Sequence, residues 1–348
     1  MRAGLLLIVG FEGKVAPPDL LEKIAAGEVG GVILFARNLG TLEEIATLTR
    51  TLQQATPKDA PPLIVSVDQE GGRVQRIRAP LTVWPAMVRL GERNDVALTE
   101  SVGQAMGREL AALGFNLNYA PVLDVHTNPQ NPVIGDRAFG SDEKAAATQA
   151  LAYFRGLESA GVRGCGKHFP GHGDTETDSH LDLPVVRADA AHLRRIELTP
   201  FAEAVRAGVQ MIMTAHVVYP AIDSQPATHS SIWLTDILRK ELGFSGVVVS
   251  DDLDMKALSD RFSVEETVRK SLAAGVDAFL ACRNPDTQAQ AEQALDAAEK
   301  NPALNEKLNR ATERLLAFRH TLRRNLDGDI SQLPRNDFAA LAKHIVVT

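Results

Sequence analysis

At 348 residues, 45% hydrophobic and 23% charged, the chain has the make-up of a globular protein with a large core. It is long enough for one barrel of roughly 250 residues with insertions, or for two ordinary domains. A net charge of -7 without long runs of either sign excludes a nucleic-acid backbone as partner, and no stretch approaches the roughly 20 apolar residues of a membrane helix.

The first apolar run, Leu5-Leu6-Leu7-Ile8-Val9, gives way at once to Gly10, Glu12 and Lys14. It is too short for a secretory signal and has no small-residue cleavage site, so it reads as a strand. Further runs rich in Val, Ile, Leu and Phe follow at 31–35, 63–67, 115–122, 163–168, 211–216, 246–250 and 277–282. Their uniform apolarity indicates burial on both faces. Cys165 and Cys282 fall inside such runs and predict buried thiols, with a reducing, cytoplasmic compartment.

Between the strands lie stretches with helical spacing. Thr41 with Glu44 and Ser263 with Glu266 match capping boxes, and Ser141 before Asp142 and Glu143 marks another helix start. Gly114, Gly161, Gly208, Gly243 and Gly275 each close a helical pattern just before the next strand. Eight strand–helix units close most simply into a (β/α)8 TIM barrel, an α/β fold. Residues 303–345 predict one or two extra helices, and no linker divides the chain. The expectation is therefore one domain, with the barrel at about 5–300 and a C-terminal helical extension at about 301–348.

In such a barrel, chemistry sits at the C-terminal ends of the strands. Those ends carry Asp68, Asp124, Lys167-His168, His216 and Asp251-Asp252. The richest segment runs Lys167-His168-Phe169-Pro170-Gly171-His172-Gly173-Asp174-Thr175-Glu176-Thr177-Asp178-Ser179-His180, with glycines that allow movement. An Asp near a His fixes its tautomer and stabilises its protonated form, so Asp178 would make His180 a general acid and base. The two can point the same way only in an extended chain. The segment Ser250-Asp251-Asp252-Leu253 offers a rigidly held nucleophile. Side chains alternate along a strand, so one of the two aspartates serves the site and the other is structural. Asp68-Gln69-Glu70-Gly71-Gly72-Arg73 suits sugar hydroxyls or a phosphate about equally. Taken alone, Arg137 in the loop 131–140 reads as a salt-bridge partner. Zinc on His168, His172, Asp174, His180 and His216 is an alternative, against which no pair has compact ligand spacing and Lys167 sets a positive charge beside the ion.

Taken together and in this order, these segments resemble glycoside hydrolase family 3, most closely its single-domain bacterial β-N-acetylglucosaminidase branch. The likeness spans about residues 5–285 and includes Val29-Gly30-Gly31-Val32-Ile33-Leu34-Phe35-Ala36-Arg37-Asn38 and Ala120-Pro121-Val122-Leu123-Asp124-Val125. Its most specific part is Lys167-His168-Phe169-Pro170-Gly171-His172-Gly173 followed by Asp178-Ser179-His180. The resemblance implies Asp251 as nucleophile and His180, oriented by Asp178, as general acid/base. It implies that Asp68, Arg76, Arg137, Lys167 and His168 bind N-acetylglucosamine. It further implies a retaining reaction through a covalent glycosyl-enzyme, on muropeptides carrying N-acetylglucosamine on 1,6-anhydro-N-acetylmuramic acid. The expected partner is thus a small carbohydrate, with no cofactor or metal, no membrane or nucleic acid, and a monomeric protein. Many family members carry a second domain that completes the site, for which this chain is expected to be too short.

Overall fold

The computed structural model describes residues 3–176, 179, 182–326 and 328–346. Its centre is a parallel sheet of β1 (Leu7–Val9), β2 (Gly31–Leu34), β3 (Ile64–Val67), β4 (Leu117–Asn118), β5 (Arg163–Gly164, resumed at Gly166–Phe169), β6 (Met211–Thr214), β7 (Val247–Asp252) and β8 (Ala278–Ala281). Strands neighbour one another in chain order, and β1 pairs with β8. The first piece of β5 pairs with β4 and the second with β6, so this strand, interrupted at Cys165, closes the ring. The (β/α)8 barrel expected from the eight apolar runs is the fold observed.

A helix follows each strand: Pro18–Ala25, Leu42–Ala55, Val96–Ala112, Glu143–Ser159, Leu198–Arg206, Ile232–Glu241, Val264–Ala274 and Pro285–Glu299. Their starts follow from local chemistry. Thr41 and Glu44 form the reciprocal capping box, each side chain bonded to the other's backbone N–H. Ser263 caps its helix by accepting from the Glu266 N–H. At the fourth helix the cap is Asp142 rather than Ser141, its carboxylate accepting from the N–H groups of Lys144 and Ala145. All five helix-ending glycines adopt positive φ. The C-terminal extension consists of Pro302–His320 and Asn336–Val346.

The core is one large cluster filling the barrel and the layer between strands and helices. Cys165 and Cys282 are both free and buried within it. Among the described residues, no helix is long and apolar enough to cross a membrane.

Candidate active site

At the C-terminal ends of the strands lies a cavity of about 160 Å3, bordered by Asp68, Glu70, Arg76, Arg137, Lys167, His168, Asp251 and Asp252, with Met213 and Leu280 among its apolar lining. Asp68 follows β3, Lys167 and His168 belong to β5, and Asp251 and Asp252 end β7. Arg37, by contrast, turns to the carbonyl oxygens of Phe11 and Cys282 and does not border this space. Asp178 and His180 lie outside the described residues.

The polar groups form one connected wall. Lys167 Nζ lies 2.9 Å from Asp68 Oδ1 and 2.6 Å from Glu70 Oε1. Arg76 reaches Asp68 Oδ2 at 3.5 Å. Glu70 accepts two hydrogen bonds of 2.8 Å from the Arg137 guanidinium, which in turn stands 3.5 Å from His168 Nε2. Burial opposes the charge on Glu70, but Arg137 and Lys167 outweigh it and hold the carboxyl far below its ordinary range. The same carboxylates keep Lys167 and Arg137 charged despite their own burial.

Behind the wall, Asp124 orders the β5 loop. Burial works against its charge, yet His168 and the backbone pull its pKa down, so it is a carboxylate and can only accept. It accepts from the N–H groups of His168 (3.0 Å) and His172 (2.8 Å) through Oδ1, and from the His168 ring Nδ1 (2.7 Å) through Oδ2. His168 is thereby fixed with Nδ1–H turned away and Nε2 toward Arg137. His172 packs edge-on to His168, with Nδ1 2.9 Å from Thr175 Oγ1 and Nε2 3.0 Å from Ser179 Oγ. The loop glycines act here by fitting close contacts: a Cβ on Gly173 would stand 1.6 Å from the Val125 carbonyl oxygen.

Asp251 and Asp252 both border the cavity, where strand alternation predicted that only one would. The reason is a register shift of β7 against β8 between Val249 and Asp252, which breaks the alternation. Their carboxylates are nonetheless used differently. Asp252 Oδ1 accepts from the N–H groups of Cys282 (3.1 Å) and Asp254 (3.3 Å), a structural attachment. Burial, reinforced by the charge of Asp254, raises the Asp252 carboxyl to about 6. Asp251 Oδ1 accepts from the Asp252 N–H at 2.8 Å. His216 sits behind them, Nδ1 2.7 Å from Thr228 Oγ1 and Nε2 3.2 Å from the Asp252 carbonyl oxygen. Burial lowers its pKa, so the neutral ring donates from Nε2 to that carbonyl and accepts at Nδ1.

The five residues expected to bind sugar are therefore brought together with Asp251. Sequence reasoning missed Glu70, although its position two residues after Asp68 puts both carboxylates on one side of an extended chain. Arg137 is the salt-bridge partner it resembled and also part of the cavity wall. His168, His172 and His216 each engage protein groups through their rings, and no cluster of three or more metal-ligating side chains occurs among the described residues.

The pattern of the Glycosyl hydrolase family 3 N terminal domain matches residues 6–318. The chain belongs to glycosyl hydrolase family 3. It is accordingly a glycoside hydrolase. A β-hexosaminidase of Neisseria meningitidis is 43% identical over 272 residues, covering 76% of this chain and 74% of the relative. The structure of a family 3 β-N-acetylglucosaminidase from a Paenibacillus species is 40% identical, with a TM-score of 0.93 over 99% of this chain and 67% of the other. NagZ of Neisseria gonorrhoeae, solved in complex with N-trifluoroacetyl-D-glucosamine, is 33% identical, with a TM-score of 0.79 over 98% of this chain and 96% of the other. The resemblance read from the motifs is thus to the right family and to its NagZ-type members.

Proposed function

We propose that this hydrolase is a retaining exo-β-N-acetylglucosaminidase, with Asp251 as nucleophile and His180, oriented by Asp178, as general acid/base. The observation that carries this reading is the cavity itself. Asp251 borders the same small space as a wall of fixed donors and acceptors from Asp68, Arg76, Arg137, Lys167 and His168. Such a wall matches the alternating hydroxyls of one terminal sugar ring and holds it before the carboxylate. The names of the relatives, and the N-acylglucosamine bound by one of them, support N-acetylglucosamine as that ring.

In the first step the Asp251 carboxylate bonds to the anomeric carbon as the glycosidic C–O bond breaks, and His180 gives its proton to the departing oxygen. In the second, His180 takes a proton from water as the water oxygen displaces Asp251, which frees the sugar with its configuration retained. Asp252 is held by backbone N–H groups and has no part in bond making. The substrate that fits this reading is a muropeptide with N-acetylglucosamine β-1,4-linked to 1,6-anhydro-N-acetylmuramic acid, met in the cytoplasm during peptidoglycan recycling. The chain works as a monomer and as one barrel domain with its helical extension.

Turnover of an aryl β-N-acetylglucosaminide and of the muropeptide, with and without the Asp251→Ala change, tests the proposal. Both activities are expected to vanish in a folded variant. An active Asp251→Ala protein, or a wild type inert on β-N-acetylglucosaminides, contradicts it.

A further inference from the structure

Two imidazoles border the cavity, and their ring nitrogens are committed differently. His172 meets a hydroxyl at each, Thr175 Oγ1 2.9 Å from Nδ1 and Ser179 Oγ 3.0 Å from Nε2. His168 places Nδ1 2.7 Å from Asp124 Oδ2, and Asp124 lies behind the wall without bordering the cavity. On the other side of the ring, Nε2 faces Arg137 Nη2 at 3.5 Å.

The charged neighbours decide where the His168 ring carries its hydrogen. A carboxylate only accepts, so the contact with Asp124 needs a proton on Nδ1. A guanidinium only donates, so a second proton on Nε2 would face an N–H of Arg137. The arrangement leaves a lone pair on Nε2, on the side of the ring away from Asp124. A hydroxyl oxygen about 2.9 Å from both nitrogens would accept from Arg137 and donate to Nε2.

We infer that Asp124 is a positioning residue for sugar recognition: by holding the His168 proton on Nδ1 it makes Nε2 an acceptor, which selects a sugar hydroxyl that donates there while accepting from Arg137. Fluorine at that point only accepts and meets a lone pair, and a hydrogen in place of the hydroxyl leaves both partners unbonded. The inference rests on the proposed placement of a terminal N-acetylglucosamine ring against this wall. Asp124→Asn reverses the pattern. Its amide oxygen can keep the two bonds that Oδ1 accepts from the backbone N–H groups of His168 and His172. The amide N–H then faces Nδ1, and the ring proton moves to Nε2.

Nitrogen-15 NMR of histidine-labelled protein tests this, with His168→Gln used to assign the His168 signals. Wild type is expected to show Nδ1–H and a bare Nε2, and Asp124→Asn the opposite tautomer. The same samples are then titrated with N-acetylglucosamine and with its deoxy and fluoro analogues at positions 3, 4 and 6, which gives a Kd for each. At one position both analogues are expected to bind wild type at least about tenfold more weakly than the parent sugar, and Asp124→Asn is expected to bring that fluoro analogue within about threefold of it. A proton on Nε2 in wild type, or fluoro-to-parent ratios unchanged by Asp124→Asn at every position, would overturn the inference while sugar binding stands. No binding of N-acetylglucosamine to wild type sinks the sugar placement itself, and the inference with it. If Asp124→Asn is recovered unfolded, the wild-type Nε2 signal decides. It is expected to move upfield when N-acetylglucosamine binds and to stay in place with the fluoro analogue of the donating position; a signal unmoved by the bound parent sugar refutes the donated bond.

Discussion

Glu70 grips Arg137 through two parallel hydrogen bonds of 2.8 Å, both side chains buried beneath the cavity. Lys167, which Asp68 also contacts at 2.9 Å, lies 2.6 Å from the same Glu70 carboxylate, so this anion touches two buried cations. Glu70→Gln removes that charge while keeping the shape. Breaking a buried pair costs about 3–5 kcal/mol, so urea unfolding at pH 7 is expected to show a loss of that size. The Glu70 pKa is depressed in the fold, so its contribution is present above the ordinary value of about 4.5 and fades as pH falls toward the folded value. The gap between wild type and variant is therefore expected to shrink on acidification. Inhibition by free N-acetylglucosamine is expected to weaken at least about tenfold, since about 1.4 kcal/mol lost from the wall already gives that factor.

Glu197 presents the opposite case. It is buried, neither carboxyl oxygen has a hydrogen-bond partner among the described residues, and burial, with Asp124 and Asp174 adding like charge, pushes its pKa well above 4.5. A raised folded value means that its contribution is complete below about 4.5 and is lost as pH rises toward the folded value. Glu197→Gln has no charge to suppress. Urea midpoints are expected to show the variant gaining on wild type between pH 5 and pH 8; a constant difference across that range contradicts the neutral-carboxyl account.

The two adjacent aspartates of β7 separate by chemistry. Asp251→Asn is expected to lower kcat by on the order of 10³-fold or more, whereas Asp252→Asn, whose amide oxygen can still accept from Cys282 and Asp254, stays within about tenfold of wild type. The Asp252 carboxyl is raised to about 6, so its contribution to stability declines between its ordinary value and that pH. Asp252→Asn is therefore expected to gain on wild type between about pH 4 and pH 6, with the difference constant above that.

Two glycines distinguish space from backbone conformation. Gly173→Ala would press a Cβ to 1.6 Å from the Val125 carbonyl oxygen, whereas at Gly208 the space is open and only the φ of +83° resists a side chain. Thermal unfolding is expected to show a loss of about 1–3 kcal/mol at position 173 and about 1–2 kcal/mol at position 208, with activity reduced only for Gly173→Ala.

Local rules made much of the barrel readable. Thr41 and Glu44 can satisfy a helix start without help from elsewhere, and Gly161 or Gly243 ends a helix by its own backbone freedom. Composition also marked Lys167, His168 and Asp251 as polar ends of apolar strands. What stayed hidden depends on partners distant in the chain. The cap at Asp142 rather than Ser141 is a shift of one residue. The break at Cys165 reflects two different neighbouring strands, and the register shift at Val249–Asp252 depends on how β7 meets β8. Glu70 gains its meaning only when the 131–140 loop brings Arg137 across 67 residues of sequence.

Mass spectrometry of the protein incubated with a 2-acetamido-5-fluoro glycosyl substrate tests the covalent mechanism most directly, because the fluorine slows release of the sugar from the nucleophile. The account predicts an intact mass raised by one sugar and a single labelled peptide in which Asp251 carries the ester. An ester on Asp252, or full turnover with no covalent species at any time, would contradict it.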